Sequence, residues 1–302
     1  MDYCKFLRDA QAFGLLVDEL AIDEQIHRVP TQEKPRAKNG WYIGFPNSGA
    51  VLVGDWATGG QLFITGSRSK RLTEAEKRTL QQVMAKEAAL RQQHQLEAAK
   101  RARALYGKAT PATYHPYLER KAVVAVAGMR VLGETLVIPM FDAINSDIIT
   151  SLQFIDADGS KRFLSKGRIS QSCFPIGLRA QTENNTIYIA EGVATAISVH
   201  LLTGSAVIAA FNATNLTAVA RIVKHMMPAA EIIIAADDDA STQHRMGINP
   251  GKHHATKAAK AVGGKVTLPP FSRSQRRDGL TDWNDYWCFL QRQQGGHYAK
   301  GK

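Results

Sequence analysis

Three acidic groups could do chemistry together if the fold brings them to one place. Glu191 follows the apolar run Ile187–Ala190. Asp237, Asp238 and Asp239 follow Glu231–Ala236. Asp282 and Asp285 lie in the segment Thr281-Asp282-Trp283-Asn284-Asp285, ahead of an expected short helix. Two residues apart on extended chain, Asp237 and Asp239 point to one face, with Asp238 pointing away. Three apart on a helical turn, Asp282 and Asp285 also share a face. Carboxylates gathered this way repel one another unless cations sit among them, and Mg²⁺ suits hard oxygen ligands while keeping waters free for phosphates. Such a centre serves phosphoryl or nucleotidyl chemistry, in which metal ions stabilise the attacking and leaving oxygens. Each group alone has a plainer reading. Asp after a strand is often a turn former, Glu-Gly commonly ends a strand, and Asp282 fits a helix N-cap.

The elements that must position these residues can be read from the chain. From Thr186 onward, strands (Ile187–Ala190, Ala206–Phe211, Glu231–Ala236, Lys265–Leu268) alternate with helices (Val193–Leu202, Asn215–Met227, Pro250–Val262), with Gly204 and Gly263 closing two of them. This rhythm predicts a parallel sheet covered by helices. In such sheets ligands collect at the carboxyl ends of the strands, where strand order reverses. Before it, Met129–Leu132, Thr135–Phe141, Ile148–Ile155, Lys161–Leu164 and Ser172–Ile176 read as a β-meander with a turn at Asp156–Gly159.

Further upstream, Thr73 to about Leu105 lacks Gly and Pro, and Thr73 with Glu76 makes a capping box. That predicts a long, mostly solvated helix, whose basic end Lys100-Arg101-Ala102-Arg103 suits a helix C-terminus or a phosphate. The first seventy residues read as a small α/β module, with a weak helical stripe over Asp2–Leu16. A hairpin is expected from Gly40–Phe45 and Ala50–Trp56 about the turn Pro46-Asn47-Ser48-Gly49. The expected organisation is therefore a module over 1–70, a connecting helix over 71–110, a β-rich subdomain over 111–184, the parallel-sheet domain over 185–290 and a basic tail over 291–302.

Lys161, Arg162, Lys166 and Arg168 crowd the Gly159–Gly167 region with Phe163 among them. That mixture suits phosphate contacts and base stacking, or simply a solvated hairpin face. His244, His253 and His254 lie in an irregular stretch without cysteine partners, so zinc is not expected there.

The chain has 302 residues, 44% hydrophobic and 22% charged, enough for about two domains with real cores. Its formal net charge of +11 favours a polyanionic partner. Cys4, Cys173 and Cys288 stand apart with no Cys-x-x-Cys, which points to a reducing, cytoplasmic setting and no disulfide framework. No run approaches the ~18 apolar residues of a membrane span, and the start of the chain lacks a secretory pattern.

The pattern strand-Glu-Gly followed by strand-Asp-x-Asp resembles the Toprim domain of bacterial primases, topoisomerases and some nucleases. IYIAEGVATAIS and IIIAADDDA look like its two motifs, and LTDWNDYW like the third acidic segment of bacterial-type primases. HPYLERK, LVIPMFD, SLQFIDADGSKRFLSKGR and CFPIG resemble the β-rich subdomain ahead of Toprim in primases, and GWYIGF…GDWATGG the leader of phage- and plasmid-borne relatives.

The resemblance implies DNA primase activity, the synthesis of short RNA primers from ribonucleoside triphosphates on single-stranded DNA, with a replicative helicase as a candidate partner. It implies Glu191 as a metal ligand or general base, Asp237 and Asp239 as ligands of Mg²⁺ or Mn²⁺, Asp282 and Asp285 assisting, and Lys161 and Arg162 holding template or nucleotide. Departures are the absent zinc ribbon, Thr195 where cellular primases often carry an acid, and no helicase P-loop. The alternatives are a Toprim nuclease activating water at the same carboxylates, or a non-catalytic single-strand-binding accessory protein.

Overall fold

A computed structural model describes residues 3–65, 71–178, 185–238 and 249–298, apart from the side chains of 250 and 294–298. The chain divides into two compact units, 1–92 and 93–302.

In the first unit, helix α1 (Tyr3–Ala12) accompanies an antiparallel sheet in the order β1 (His27–Val29), β2 (Gly40–Phe45), β3 (Ala50–Asp55), β4 (Gln61–Thr65). The expected β2–β3 hairpin is present, with Phe45 opposite Ala50 and Gly40 opposite Asp55. One face buries Tyr42, Val51 and Val53 beneath Phe6 and Ala10 of α1. The other buries Trp41, Ile43 and Phe45 beside Leu80, Val83 and Met84. Alternation along a strand explains how both faces find apolar cover.

Helix α2 (Glu74–Lys108) runs from the first unit into the second. Its start is the expected capping box: Thr73 Oγ1 accepts from the Glu76 N–H at 3.2 Å, and Glu76 accepts from the Thr73 N–H at 2.9 Å. Glu76 is fully buried and its other oxygen takes the Ser48 N–H at 2.9 Å, so one carboxylate holds both a helix start and a hairpin turn. Farther along, Ala98 and Ala102 are fully buried, while Leu90 and Leu96 stay exposed. At the basic end of the stripe, Arg101 donates to the Ser165 carbonyl at 2.9 Å.

The second unit is built on a ten-stranded mixed sheet. Strands β5 (Thr110–Pro111), β6 (Arg130–Leu132), β7 (Thr135–Asp142), β8 (Ile149–Ile155), β9 (Lys161–Phe163) and β10 (Ser172–Ile176) form its antiparallel part, with helix α3 (Pro116–Arg120) between β5 and β6. Strands β11 (Thr186–Ala190), β12 (Ala206–Ala209), β13 (Glu231–Ala235) and β14 (Lys265–Thr267) form the parallel part, in the order β14-β13-β11-β12. Helices α4 (Val193–Thr203), α5 (Leu216–Met226) and α6 (Pro250–Lys260) connect them, and α7 (Arg273–Arg277) and α8 (Trp283–Tyr298) follow. The strand–helix alternation is as expected, with Gly204 at φ 68° closing α4.

Strand β10 joins the two parts, pairing antiparallel with β7 on one side and with β12 on the other. Buried Asn215 clamps this seam. Its amide donates to the Ser172 and Ala210 carbonyls, both at 2.8 Å, and its oxygen accepts the Gln171 N–H at 2.8 Å. One core lies between the antiparallel strands and α4 and includes Ile138, Phe174 and Ile197. A second packs Ile189, Ile208 and Ile234 against α5 and α6. Among the described residues, no helix is long and apolar enough to cross a membrane.

Candidate nucleotidyl-transfer site

Chain order and strand order disagree at one place. From β11 the chain moves to β12 on one side, then returns to β13 on the other side of β11. The carboxyl ends of β11 and β13 are therefore the switch point where such sheets take ligands. In register, Ala190 lies opposite Ala235, so Glu191 leaves β11 beside the exit of β13 that leads to Asp237. Gly192 is the N-cap of α4, and Thr195, buried, lies in that helix's first turn. The fold thus brings Glu191 and Asp237 to neighbouring strand ends. Asp239 lies outside the described residues, as does His244.

Asp238 has a different task, as the alternation of extended chain requires. It is buried; Oδ1 accepts from the Asn249 amide at 3.3 Å and Oδ2 from Arg276 Nε at 2.7 Å. Its N–H donates to the Thr281 carbonyl at 2.7 Å, drawing the segment before α8 alongside β13. Asp238 therefore ties α6, α7 and the approach to α8 to one point.

Asp282 and Asp285 do share a face, but for one another's hydrogen bonds. Asp282 Oδ1 accepts the Asp285 N–H at 2.7 Å, and Asp285 Oδ2 accepts the N–H groups of Thr281 at 2.9 Å and Asp282 at 3.3 Å. This is a reciprocal cap on α8, a structural use of the two carboxylates beside the expected help to a metal. The spacing that puts two carboxylates on one face also satisfies a capping box. Burial, reinforced by the nearby Asp285 charge, pushes the Asp282 carboxyl above its usual range. Among the described residues, no three His, Cys, Asp or Glu side chains form a metal-holding group.

The basic hairpin is also divided. Along β9, Lys161 and Phe163 face the core that includes Tyr117 and Phe211, with Lys161 Nζ 5.4 Å from the Tyr117 ring. Arg162 faces the opposite way, over Phe154 at 5.1 Å, and pairs with Asp156 at 2.5 Å. Lys166 sits at φ 64° and meets His94 at 3.2 Å. Arg168 is ion-paired with Asp142. Burial pushes the Asp142 carboxyl up, but the Arg168 hydrogen bond and the N–H groups of Asn145 and Ile144 outweigh it and hold the group below its ordinary value. The turn is fixed by Gly167, where a Cβ would lie 2.0 Å from Ser151 Oγ. Of the four cations, Lys161 alone makes neither an ion pair nor a hydrogen bond among the described residues.

A cavity of about 430 Å³ escaped the sequence reading. Arg120, Lys121 and Arg292 line it with Asp278, Asp285 and Cys288. Arg120 and Lys121 lie in HPYLERK, which supplied the signal for the subdomain but not for this cleft.

Residues 186–291 match the Toprim domain family. The chain is also 33% identical over 265 residues to DNA primase TraC of Escherichia coli, across 83% of this chain and 24% of that protein. The chain carries a Toprim domain. A second Escherichia coli DNA primase TraC is 34% identical over 271 residues, 85% of this chain and 18% of that protein. The Toprim chain thus spans a quarter or less of the length of these curated relatives. Solved structures similar to it include the primase fragment of the bacteriophage T7 primase-helicase protein (17% identity, 58% of this chain and 65% of that one, TM-score 0.37). Another is the DnaG catalytic core (12% identity, 46% and 45%, TM-score 0.32).

Proposed function

We propose that the chain is a DNA primase, joining ribonucleotides into short primers on single-stranded DNA in phage, plasmid or mobile-element replication. The observation that carries this reading is the placement of Glu191 and Asp237 at the adjoining carboxyl ends of β11 and β13. The likeness to DNA primase TraC supports the choice of reaction.

Glu191 and Asp237, with Asp239, would hold Mg²⁺ or Mn²⁺; their hard carboxylate oxygens on neighbouring strand ends fit such an ion. A divalent ion held there would supply neutralisation of the charge that develops on the α-phosphate during transfer. The primer 3′-hydroxyl, or that of an initiating nucleotide, forms a bond to the α-phosphorus. The bond to the β-phosphate oxygen breaks, and pyrophosphate leaves with its electron pair. The hydroxyl proton passes to Glu191 acting as general base, or to water. Lys161, exposed beside Tyr117, would hold an incoming phosphate; its lack of an ion pair among the described residues supports that role. Asp238 keeps the Asp237 segment in register through Arg276 and Asn249.

The test is incubation of the protein with labelled ribonucleoside triphosphates, single-stranded DNA and Mg²⁺ or Mn²⁺. Short labelled oligomers with the template intact are the expected result. Template degradation without oligomers would make the protein a nuclease, and neither product would leave a binding role.

A further inference from the structure

We propose that the cleft between the α3–β6 turn and α8 binds the phosphate group of a nucleotide through Arg120, Lys121 and Arg292. The cleft, about 430 Å³, contains neither Glu191 nor Asp237 among its lining residues. Its volume falls in the ~300–1,000 Å³ range typical of small-molecule sites.

Both walls are locked together. The Lys121 carbonyl accepts from Asn284 Nδ2 at 2.8 Å and Cys288 Sγ at 3.4 Å, and the Ala122 carbonyl accepts from Trp287 Nε1 at 2.6 Å. Asn284, fully buried, also donates to Ser198 of α4 at 2.9 Å. Ala122 adopts φ 50°, which turns its carbonyl toward α8. The cleft is therefore pre-organised, so little ordering cost is left for a ligand.

The charges point to an anion. Elsewhere in this unit Arg162, Arg168, Lys265 and Arg276 have carboxylate partners. Among the described residues Arg120, Lys121 and Arg292 make no ion pair, although all three line one cavity. Three cations against the carboxylates of Asp278 and Asp285 leave the lining net positive, and a phosphate there accepts charge-assisted hydrogen bonds. Asp285 is occupied by its capping bonds through Oδ2. Asp278, exposed at the end of α7, is free to accept from a sugar hydroxyl or a base amino group. That pairing of cations with a peripheral acceptor fits a nucleotide better than bare phosphate. The choice of a nucleotide as the anion rests on the primase reading; the anion site itself does not.

Cys288 in the cavity wall provides a reporter. In a Cys4→Ser background, Cys173 is buried, its thiol pushed up to about 12 by burial and by Asp142, so Cys288 is the thiol left to alkylate. The full chain, in EDTA and carrying Glu191→Gln to remove the carboxylate site, is treated with N-ethylmaleimide with and without ATP, a thymidine oligonucleotide or inorganic phosphate. The expected result is several-fold slower modification with ATP or the oligonucleotide, whichever carries the bound phosphate, and a much weaker effect of inorganic phosphate. Arg292→Gln should weaken that ligand about tenfold, the scale of one charge-assisted hydrogen bond, with Arg292→Lys recovering part of it. Equal protection by inorganic phosphate would overturn the choice of a nucleotide; protection by none of the three, or equal binding by wild type and Arg292→Gln, would overturn the site. Primer synthesis by the wild type separates this outcome from failure of the primase reading, since either can fail while the other holds.

Discussion

Asp238 and Arg276 meet at 2.7 Å, so the middle residue of the Asp-Asp-Asp run is a structural anchor rather than a member of the carboxylate crevice. Its partners lie on α6 and α7, while Asp237 continues from the switch-point strand. Asp238→Asn should keep most primer synthesis at low temperature. It should lower unfolding free energy by about 1–2 kcal/mol, the range for a hydrogen bond to a charged group in partial solvent. Activity and chemical denaturation of the same preparation check both halves. Loss of turnover with unchanged stability would mean that Asp238 works in the crevice.

Glu76 should be among the most sensitive positions of the first unit. It is fully buried and holds the Thr73 and Ser48 N–H groups, whose bonds bring its carboxyl below the ordinary range against the upward push of burial. Glu76→Ala leaves these donors without their acceptor and should cost about 2–3 kcal/mol. A melting curve of the full chain, followed at the Trp41–Trp56 stack, reads the loss. An unchanged transition would contradict the role.

The Asp142–Arg168 pair should show in acid. Because the folded Asp142 carboxyl lies below its unfolded value, its contribution is fully present above the unfolded pKa and fades as pH falls through the folded one. Asp142→Asn should therefore cost about 2 kcal/mol at neutral pH and progressively less toward strong acid. Denaturation midpoints across that window test the sign. A gap that widened on acidification would refute it.

Single-stranded DNA binding should distinguish the cations of the hairpin. Lys161→Ala should flatten the log–log salt dependence by about 0.7, one phosphate's worth. Arg168→Ala should instead act chiefly on stability, since its guanidinium is held by Asp142. Superimposable salt titrations for wild type and Lys161→Ala would remove that residue from the nucleic-acid path.

Much of this was legible in the sequence because its signals are local. Alternating apolar runs marked β11 and β13, and the polar residues ending them marked the switch point. The short edge strands β1 and β4 were missed, being three and five residues long with few buried positions. Asp282 and Asp285 were ambiguous because one spacing serves both a shared metal and a reciprocal cap. The division of the hairpin could have been found, since period two already places Lys161 and Arg162 on opposite faces. The Arg120–Lys121–Arg292 cleft could not. Its walls are distant in sequence and meet through backbone carbonyls, which leave no residue pattern.

The central claim is that the carboxylates at the ends of β11 and β13 support nucleotidyl transfer. Its most direct test is primer synthesis by Glu191→Gln and Asp237→Asn, compared with wild type at matched folded fraction under saturating Mg²⁺ or Mn²⁺. We predict a loss of about a hundredfold or more in each variant, the scale seen when a group stabilising transition-state charge is removed. Turnover within twofold of wild type in both variants would contradict the account.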